Sequence, residues 1–144
     1  MTIRQKKISD LHNRLKLINE TPDCLFISIH QNSYPYPNNT GTQVFYSPNH
    51  PESQALAAAI QQSVIHLIQP QNTRKVKKSG TEIYLLYQAK TPAVMVECGF
   101  MSNAQETEKL RTEAYQNELA LSIFYGVLSY LNGIGTADAT PAAQ

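Results

Sequence analysis

Two short apolar stretches limit the folds that are open to this chain. Residues 25–29 read LFISI, and residues 92–100 read PAVMVECGF. Strands that are apolar on both faces are typical of a parallel sheet that helices cover on both sides. Each run also leads into a polar side chain, His30 after the first and Glu97 within the second. The pattern therefore predicts buried strands whose ends carry chemically active groups.

The segments around these strands have the spacing of helices and of further strands. Apolar residues recur every three or four positions in residues 4–20 and 49–68, which is the period of an amphipathic helix. Residues 42–47 and 82–88 favour two more strands, and the chain is helical in character from residue 103 onward. The order α-β-β-α-β-β-α-α predicts an α/β domain, with a mostly parallel sheet flanked by helices on both faces.

Composition and length restrict the class of protein further. A chain of 144 residues forms one domain, which we place at residues 1–132, followed by a disordered tail at 133–144. The polar, basic residues 69–80 are predicted to form a loop. A net charge of +1 gives no field that would attract nucleic acid or acidic membranes. No apolar run approaches the roughly 20 residues of a membrane span, and residues 1–10 lack the features of a secretory signal, so localisation stays unknown.

His30 and Glu97 are the candidates for chemistry. If their strands run parallel, both side chains project from the same edge of the sheet, where α/β proteins bind ligands. An imidazole and a carboxylate that meet there are suited to metal binding and proton transfer. The alternative for His30 is a structural, hydrogen-bonded histidine. Glu97 has no such simple alternative, because a carboxylate in an apolar strand needs a partner or a solvated cleft.

Two motifs resemble those of the zinc-dependent N-acetylmuramoyl-L-alanine amidases, which cut peptidoglycan. Residues 26–33, FISIHQNS, resemble the Ser-x-His-x-Asn pattern of that family, with the histidine at His30. Residues 92–103, PAVMVECGFMSN, resemble its Glu-x-Gly-Phe-x-Ser-Asn pattern, which starts at Glu97. The resemblance covers nearly all of residues 4–132, and it is strongest to the branch that processes spore cortex during sporulation and germination.

The resemblance implies a role for each of the two residues. His30 would be a zinc ligand, and Glu97 would be the catalytic carboxylate that takes a proton from the attacking water and passes it to the departing amine. The zinc would activate that water and polarise the carbonyl under attack. The bond cut would be the amide between the lactyl group of N-acetylmuramic acid and L-alanine. The implied place of action is the cell envelope or spore cortex.

The chain departs from the family where the first zinc ligands are expected. The family takes them from a Gly-His-Gly loop and from a glutamate that follows it, whereas all six glycines here lie downstream of His30. We therefore interpret the chain as an N-terminally truncated amidase domain that lacks the first strands and two of three zinc ligands. His12, His50 and His66 do not have ligand spacing to His30, so we predict little or no zinc binding by this polypeptide alone. The exposed sheet edge would invite self-association.

Three hypotheses for function follow from these observations. The first is a peptidoglycan amidase, and the second is a catalytically incompetent remnant that binds peptidoglycan or a partner chain. The third is a cysteine hydrolase that uses Cys98 with His30, although the family pattern does not use that cysteine. Cys24 and Cys98 are expected to stay free thiols, because they lie at opposite ends of neighbouring strands, beyond the roughly 7 Å reach of a disulfide.

Overall fold

The computed structural model describes residues 1–133. The elements of this part of the chain are α1 (Ile3–Glu20), β1 (Phe26–Asn32), β2 (Gln43–Tyr46), α2 (Ser53–Ile68), β3 (Lys77–Lys78), α3 (Tyr84–Gln88), β4 (Ala93–Phe100), α4 (Ala104–Leu110) and α5 (Glu113–Leu131). None of the helices within residues 1–133 has the length and hydropathy needed to cross a membrane. Apart from residue 133, the predicted tail lies outside the described residues.

The four strands form one sheet in the order β1-β4-β2-β3. β1 and β4 run parallel, with Phe26 opposite Ala93 and His30 opposite Glu97. β2 is antiparallel to β4 and parallel to β3. Two of the three pairings are therefore parallel, and this confirms the predicted class, an α/β fold with a mostly parallel sheet.

Two apolar clusters, one on each face of the sheet, hold the helices in place. The first cluster joins α2, α4 and α5 to the sheet, and its members are Val44, Leu56, Ala57, Ile60, Val64, Val94, Val96, Cys98, Leu110, Leu119 and Ile123. The second joins α3 and α1, and its members are Ile18, Leu85, Leu86, Ala89, Ala93 and Met95. Successive residues of β4 alternate between the two clusters, as the period of a strand requires. β4 is thus buried on both faces, as its apolar sequence predicts.

α1 covers part of the second face, and local signals set both of its ends. Its first turn carries a capping box, in which the Thr2 hydroxyl accepts from the Gln5 N–H at 3.2 Å and the Gln5 side chain accepts from the Thr2 N–H at 2.8 Å. The helix stops before Thr21, because the following Pro22 disfavours helical geometry at that residue. The helix begins at Ile3, one residue before the predicted start at residue 4.

Two segments differ from the sequence prediction. The apolar run at residues 82–88, predicted as a strand, contains the short helix α3 instead. A run of this length fits a buried strand or a buried helix equally well, and here one helical turn brings Leu85 and Ala89 into the second cluster. The basic loop predicted at residues 69–80 contains β3, which exists because it pairs with β2.

Candidate active site

His30 and Glu97 meet on one face of the sheet. They are register partners in the parallel strands β1 and β4, and register partners direct their side chains to the same face. Both line one cleft with a volume of about 330 Å³. The structure thus brings together the two residues that the sequence singled out, while the roles assigned to them stay predictions.

The cleft lies between α1, the start of α3 and the sheet. Its apolar lining comes from both walls and the floor: Leu11, Phe26, Leu85, Leu86 and Met95. Its polar lining comprises Arg14, Ser28, His30, Glu82 and Glu97. A concave surface with an apolar floor and a few polar groups is the usual form of a small-molecule or peptide site.

The environment of Glu97 favours the protonated carboxyl. Burial raises the pKa of Glu97 above its usual value, and the nearby charge of His30 opposes that shift without cancelling it. Within residues 1–133, the Oε2 atom of Glu97 is buried and has no hydrogen-bond partner. A carboxyl oxygen in this state binds a cation or a proton donor readily, because either one replaces the water it has lost.

The imidazole of His30 is exposed, since its strand leaves the covered part of the sheet at Ile29. No other group of the described chain forms a hydrogen bond with the His30 ring, and its one electrostatic neighbour is Glu97. The ring is therefore accessible from solvent, and its role as a ligand stays a prediction.

The loop after Glu97 is held by a carboxylate that sequence analysis did not single out. Glu106 accepts hydrogen bonds from the N–H of Gly41 at 3.1 Å and from the N–H of Phe100 at 3.0 Å. The side chain of Asn103 caps α4 by accepting from the Glu106 N–H, and it donates to the carbonyl of Pro37 at 2.8 Å. These hydrogen bonds connect the end of β4, three residues beyond Glu97, to α4 and to the segment between β1 and β2.

Cys98 lies on the opposite face of β4 from Glu97 and is buried in the first cluster. Burial, together with the charge of Glu97, raises the pKa of the Cys98 thiol to about 11. A thiol with this pKa is almost entirely protonated at neutral pH, and only the thiolate is a strong nucleophile. The geometry thus disfavours a cysteine hydrolase that uses Cys98 with His30. Both Cys24 and Cys98 are free thiols, as predicted.

Comparison with known proteins identifies the family. The sequence pattern of the N-acetylmuramoyl-L-alanine amidase family matches residues 1–129. This chain belongs to that family. It is 36% identical over 131 residues to the germination-specific N-acetylmuramoyl-L-alanine amidase of Bacillus subtilis, a match that covers 91% of this chain and 54% of the relative. The chain therefore spans about half the length of that amidase.

Solved amidase structures have the same fold. The CwlD amidase of Clostridioides difficile, solved in complex with the GerS lipoprotein, superposes with a TM-score of 0.87 at 36% identity. That superposition covers 92% of this chain and 66% of the CwlD chain. An N-acetylmuramoyl-L-alanine amidase of Clostridium difficile 630 superposes with a TM-score of 0.78 at 30% identity, over 85% of this chain and 65% of that one.

The amidase family is generally zinc-dependent, so the donor set of the cleft can be compared with what zinc needs. A catalytic zinc takes three protein ligands and leaves a position for water. Among residues 1–133, no three His, Cys, Asp or Glu side chains lie close enough together to hold a metal. His30 and Glu97 supply at most two donors, so the described residues do not complete a zinc site.

The other three histidines lie elsewhere in the described structure. His12 is exposed on α1, with its ring centroid 5.9 Å from that of Tyr84. His50 accepts a hydrogen bond from the Glu52 N–H through its Nδ1 atom at 3.3 Å, a local role before α2. His66 is exposed near the end of α2. That none of the three binds zinc together with His30 stays a prediction.

Three polar residues of the cleft were not assigned a role from sequence: Arg14, Ser28 and Glu82. Ser28 could have been found, because it lies two positions before His30 on a strand and so faces the same way. Arg14 lies three positions after Leu11, at the margin of the apolar face of α1, a weaker signal. Glu82 could not have been found, because it was assigned to a strand that does not exist.

Proposed function

We propose that this domain hydrolyses the amide between the lactyl group of N-acetylmuramic acid and L-alanine in peptidoglycan. Glu97 is the catalytic residue in this proposal, and His30 is one ligand of the zinc on which the family depends. The supporting observation is the pairing of His30 with a half-buried Glu97 in one cleft, where a carboxyl oxygen of Glu97 lacks a partner. Family membership supports the choice of bond.

Glu97 is suited to proton transfer in both directions. Its raised pKa lies closer to the working pH than that of an exposed carboxylate, and general acid–base catalysis is most efficient under that condition. As a base, the carboxylate accepts a proton from the water that attacks the lactyl carbonyl. As an acid, it returns that proton to the nitrogen of L-alanine, so that the peptide leaves as a neutral amine.

The proposed substrate is the peptidoglycan of the cell wall or spore cortex. The germination-specific name of the Bacillus subtilis amidase supports the cortex as the place of action. A CwlD amidase that forms a complex with a lipoprotein shows that one relative has a protein partner. Peptidoglycan is the one partner that we propose for this chain as a substrate.

A second candidate function is binding of peptidoglycan without hydrolysis. It is favoured by one observation, the incomplete set of metal donors among residues 1–133. The cleft and its polar lining would still bind a glycan-linked peptide in such a protein.

A hydrolysis assay separates the two candidates. Purified chain is incubated with peptidoglycan at increasing zinc concentrations, and the new amino termini of L-alanine are counted. We expect hydrolysis only at high zinc, where mass action compensates weak binding. Glu97→Gln is expected to lower the rate by about 100-fold to 10,000-fold, and the exposed Glu108→Gln should not. Cosedimentation with peptidoglycan but no release at any zinc concentration would support the binding function instead.

Equilibrium dialysis measures the metal directly. With two donors or fewer in the cleft, we expect much less than one tightly bound zinc per chain. His30→Ala should remove the weak binding that remains, whereas His66→Ala should leave it unchanged. One tightly bound zinc per chain would contradict the incomplete donor set.

A further inference from the structure

The cleft carries charged side chains that the proposed hydrolysis does not use, Arg14 on α1 and Glu82 before α3. Glu82 is already engaged, because its Oε1 atom accepts from the Gly80 N–H at 2.9 Å. That bond lowers the pKa of Glu82, and the charge of Lys77 contributes in the same direction. Among the cleft-lining residues of the described chain, Arg14 is the one lysine or arginine.

The position of Arg14 follows from the geometry of α1. Leu11, Leu15 and Ile18 form the face of the helix that packs on the second cluster. Arg14 lies three positions after Leu11 and four before Ile18, so it belongs to the margin of the same face. The stem of an arginine at such a margin covers apolar surface while its guanidinium stays in water. Arg14 therefore lines the cleft that contains Glu97, while its side chain stays 58% exposed.

Arg14 forms only a weak ion pair in the described structure. Its one ion pair is with Asp10, four positions earlier on the same helix, at 2.8 Å, and the two side chains are 58% and 54% exposed. Exposed pairs of this kind contribute little to stability. A ligand carboxylate in a better position can therefore replace Asp10 as the partner of the guanidinium. The loss of free energy is small, because the exposed ion pair is weak.

We propose that Arg14 binds an ionised carboxylate of the stem peptide, on the residue that follows L-alanine. The inference rests on the proposed function, which places the lactyl–alanine bond at Glu97. Beyond that bond, the peptide either continues along the cleft towards α1 or leaves the cleft. Arg14 lies on the α1 side, so it can contact a peptide that continues along the cleft. The glycan side of the bond is uncharged and needs no cation. A guanidinium binds a carboxylate through two parallel hydrogen bonds, which gives direction as well as attraction.

The charges of the cleft support the same assignment. Within the described chain, the lining carries the carboxylate of Glu82, whose pKa is lowered, and a second negative charge when Glu97 is ionised. An anionic peptide would be repelled by such a cleft at short range. Arg14 offsets that repulsion, and it is the one permanent cation in the lining of the described chain that is able to do so.

The test compares two synthetic peptides that differ in one group. Both are N-lactyl-L-alanyl-γ-D-glutamyl peptides, one with a free α-carboxylate and one with an α-carboxamide. Calorimetry on the purified chain, without added zinc, measures the affinity for each. We expect the acid to bind about tenfold more tightly than the amide, a typical effect of a charged hydrogen bond. The preference should decline as salt is added.

Variants of α1 assign the preference to one side chain. Arg14→Gln should abolish the preference for the acid and leave the affinity for the amide unchanged. Arg14→Lys should restore part of it, because a lysine keeps the charge without the paired hydrogen bonds. Arg4→Gln is the matched control, since Arg4 lies ten residues earlier, about 15 Å along the helix. It should retain the full preference.

Two outcomes would overturn the assignment: equal binding of acid and amide by the unmodified chain, or a preference that survives Arg14→Gln. Hydrolysis of both peptides, measured in parallel with zinc, tests the proposed function separately. Hydrolysis without any carboxylate preference removes the role of Arg14 and leaves the amidase function intact. A preference without hydrolysis supports Arg14 as the carboxylate-binding residue and counts against the amidase function.

Discussion

His30 and Glu97 lie opposite each other in the pairing of β1 with β4, and the Glu97 carboxyl keeps a raised pKa although the charge of His30 opposes the shift. Desolvation by the surrounding sheet therefore outweighs the attraction between the two groups. Such an arrangement is costly for folding, because an ionised, half-buried carboxylate without a full set of partners destabilises the native state. It is also what a proton-transferring group requires.

The first prediction concerns the pH dependence of stability. The pKa of Glu97 is raised above its value of 4.5 in an unfolded chain, so between these two values the folded state binds more protons than the unfolded state. The free energy of unfolding should then decrease as the pH rises from about 4.5 through the folded-state pKa. In Glu97→Gln this decrease should be absent. Urea denaturation at several pH values measures it.

The control for this prediction is Glu108→Gln, which makes the same chemical change at an exposed site. Glu108 contacts Arg111 at 3.5 Å, and the two side chains are 77% and 73% exposed. The control should show the same pH dependence as the unmodified chain. If Glu97→Gln also shows that dependence, then desolvation of Glu97 is not its cause.

The second prediction concerns the two thiols. Burial raises the pKa of Cys98 to about 11, whereas Cys24 is only half buried. Because alkylation needs both access and a thiolate, iodoacetamide at about pH 8 should label Cys24 first and Cys98 only after unfolding. Mass spectrometry of tryptic peptides, with Cys24→Ser and Cys98→Ser as single-thiol references, measures both rates. Equal rates in the folded chain would contradict the buried position of Cys98.

The third prediction concerns Gln61, a buried polar residue of α2. Its Oε1 atom accepts from the Val44 N–H at 2.8 Å, and its Nε2 atom donates to the Thr42 carbonyl at 2.9 Å. Gln61→Leu leaves the Val44 N–H buried and unpaired, whereas the Thr42 carbonyl keeps a hydrogen bond from the Asn72 side chain at 2.9 Å. The substitution should therefore lower the free energy of unfolding by about 1–3 kcal/mol. Gln62→Leu, at the exposed neighbouring position, should change it by less than about 0.5 kcal/mol. Chemical denaturation of both variants measures the two changes in the free energy of unfolding.

Much of this architecture could be predicted from sequence, because the strongest signals are those of burial. β4 has apolar residues on both faces, and a strand of that kind has few alternatives to the middle of a covered sheet. β1 has a similar apolar sequence, but in the described chain it lies at the edge of the sheet with Ile29 exposed, so its predicted burial is wrong. The motifs near the end of β1 and within β4 are the reason that both site residues could be found. Their meeting depends on the parallel direction and on the register of the two strands.

Other features depend on contacts that no local pattern encodes. The helix α3 and the predicted strand over the same residues bury similar apolar surface, so only the fit of Leu85 and Ala89 against the second cluster separates them. β3 consists of two lysines and forms through backbone pairing with Phe45 and Tyr46. The part of the cleft wall that comes from α3 was missed for the same reason.

The fourth prediction concerns the close contact between α5 and α2. A Cβ atom added at Gly126 would lie 2.5 Å from the Cα atom of Ile60, so the two helices would have to separate. Gly126→Ala should therefore destabilise the fold by about 1–3 kcal/mol, although alanine is the better helix former. Gly80→Ala is the control, because its Cβ would meet only the flexible end of Glu82. Thermal unfolding that ranks the two variants in the opposite order would refute the packing argument.

The last prediction concerns the outer edge of β1. In the described part of the chain, β1 pairs with β4 alone, and Ile29 on this strand is 58% exposed. An unpaired strand with an exposed apolar side chain is a template for pairing with another chain, so we expect association that increases with protein concentration. Ile29→Lys should suppress it, because a lysine on an edge strand opposes pairing. Leu67→Lys on α2, where the leucine is 53% exposed, should not. Sedimentation velocity over a range of concentrations measures the association, and a monomer at every concentration would show that this edge is protected.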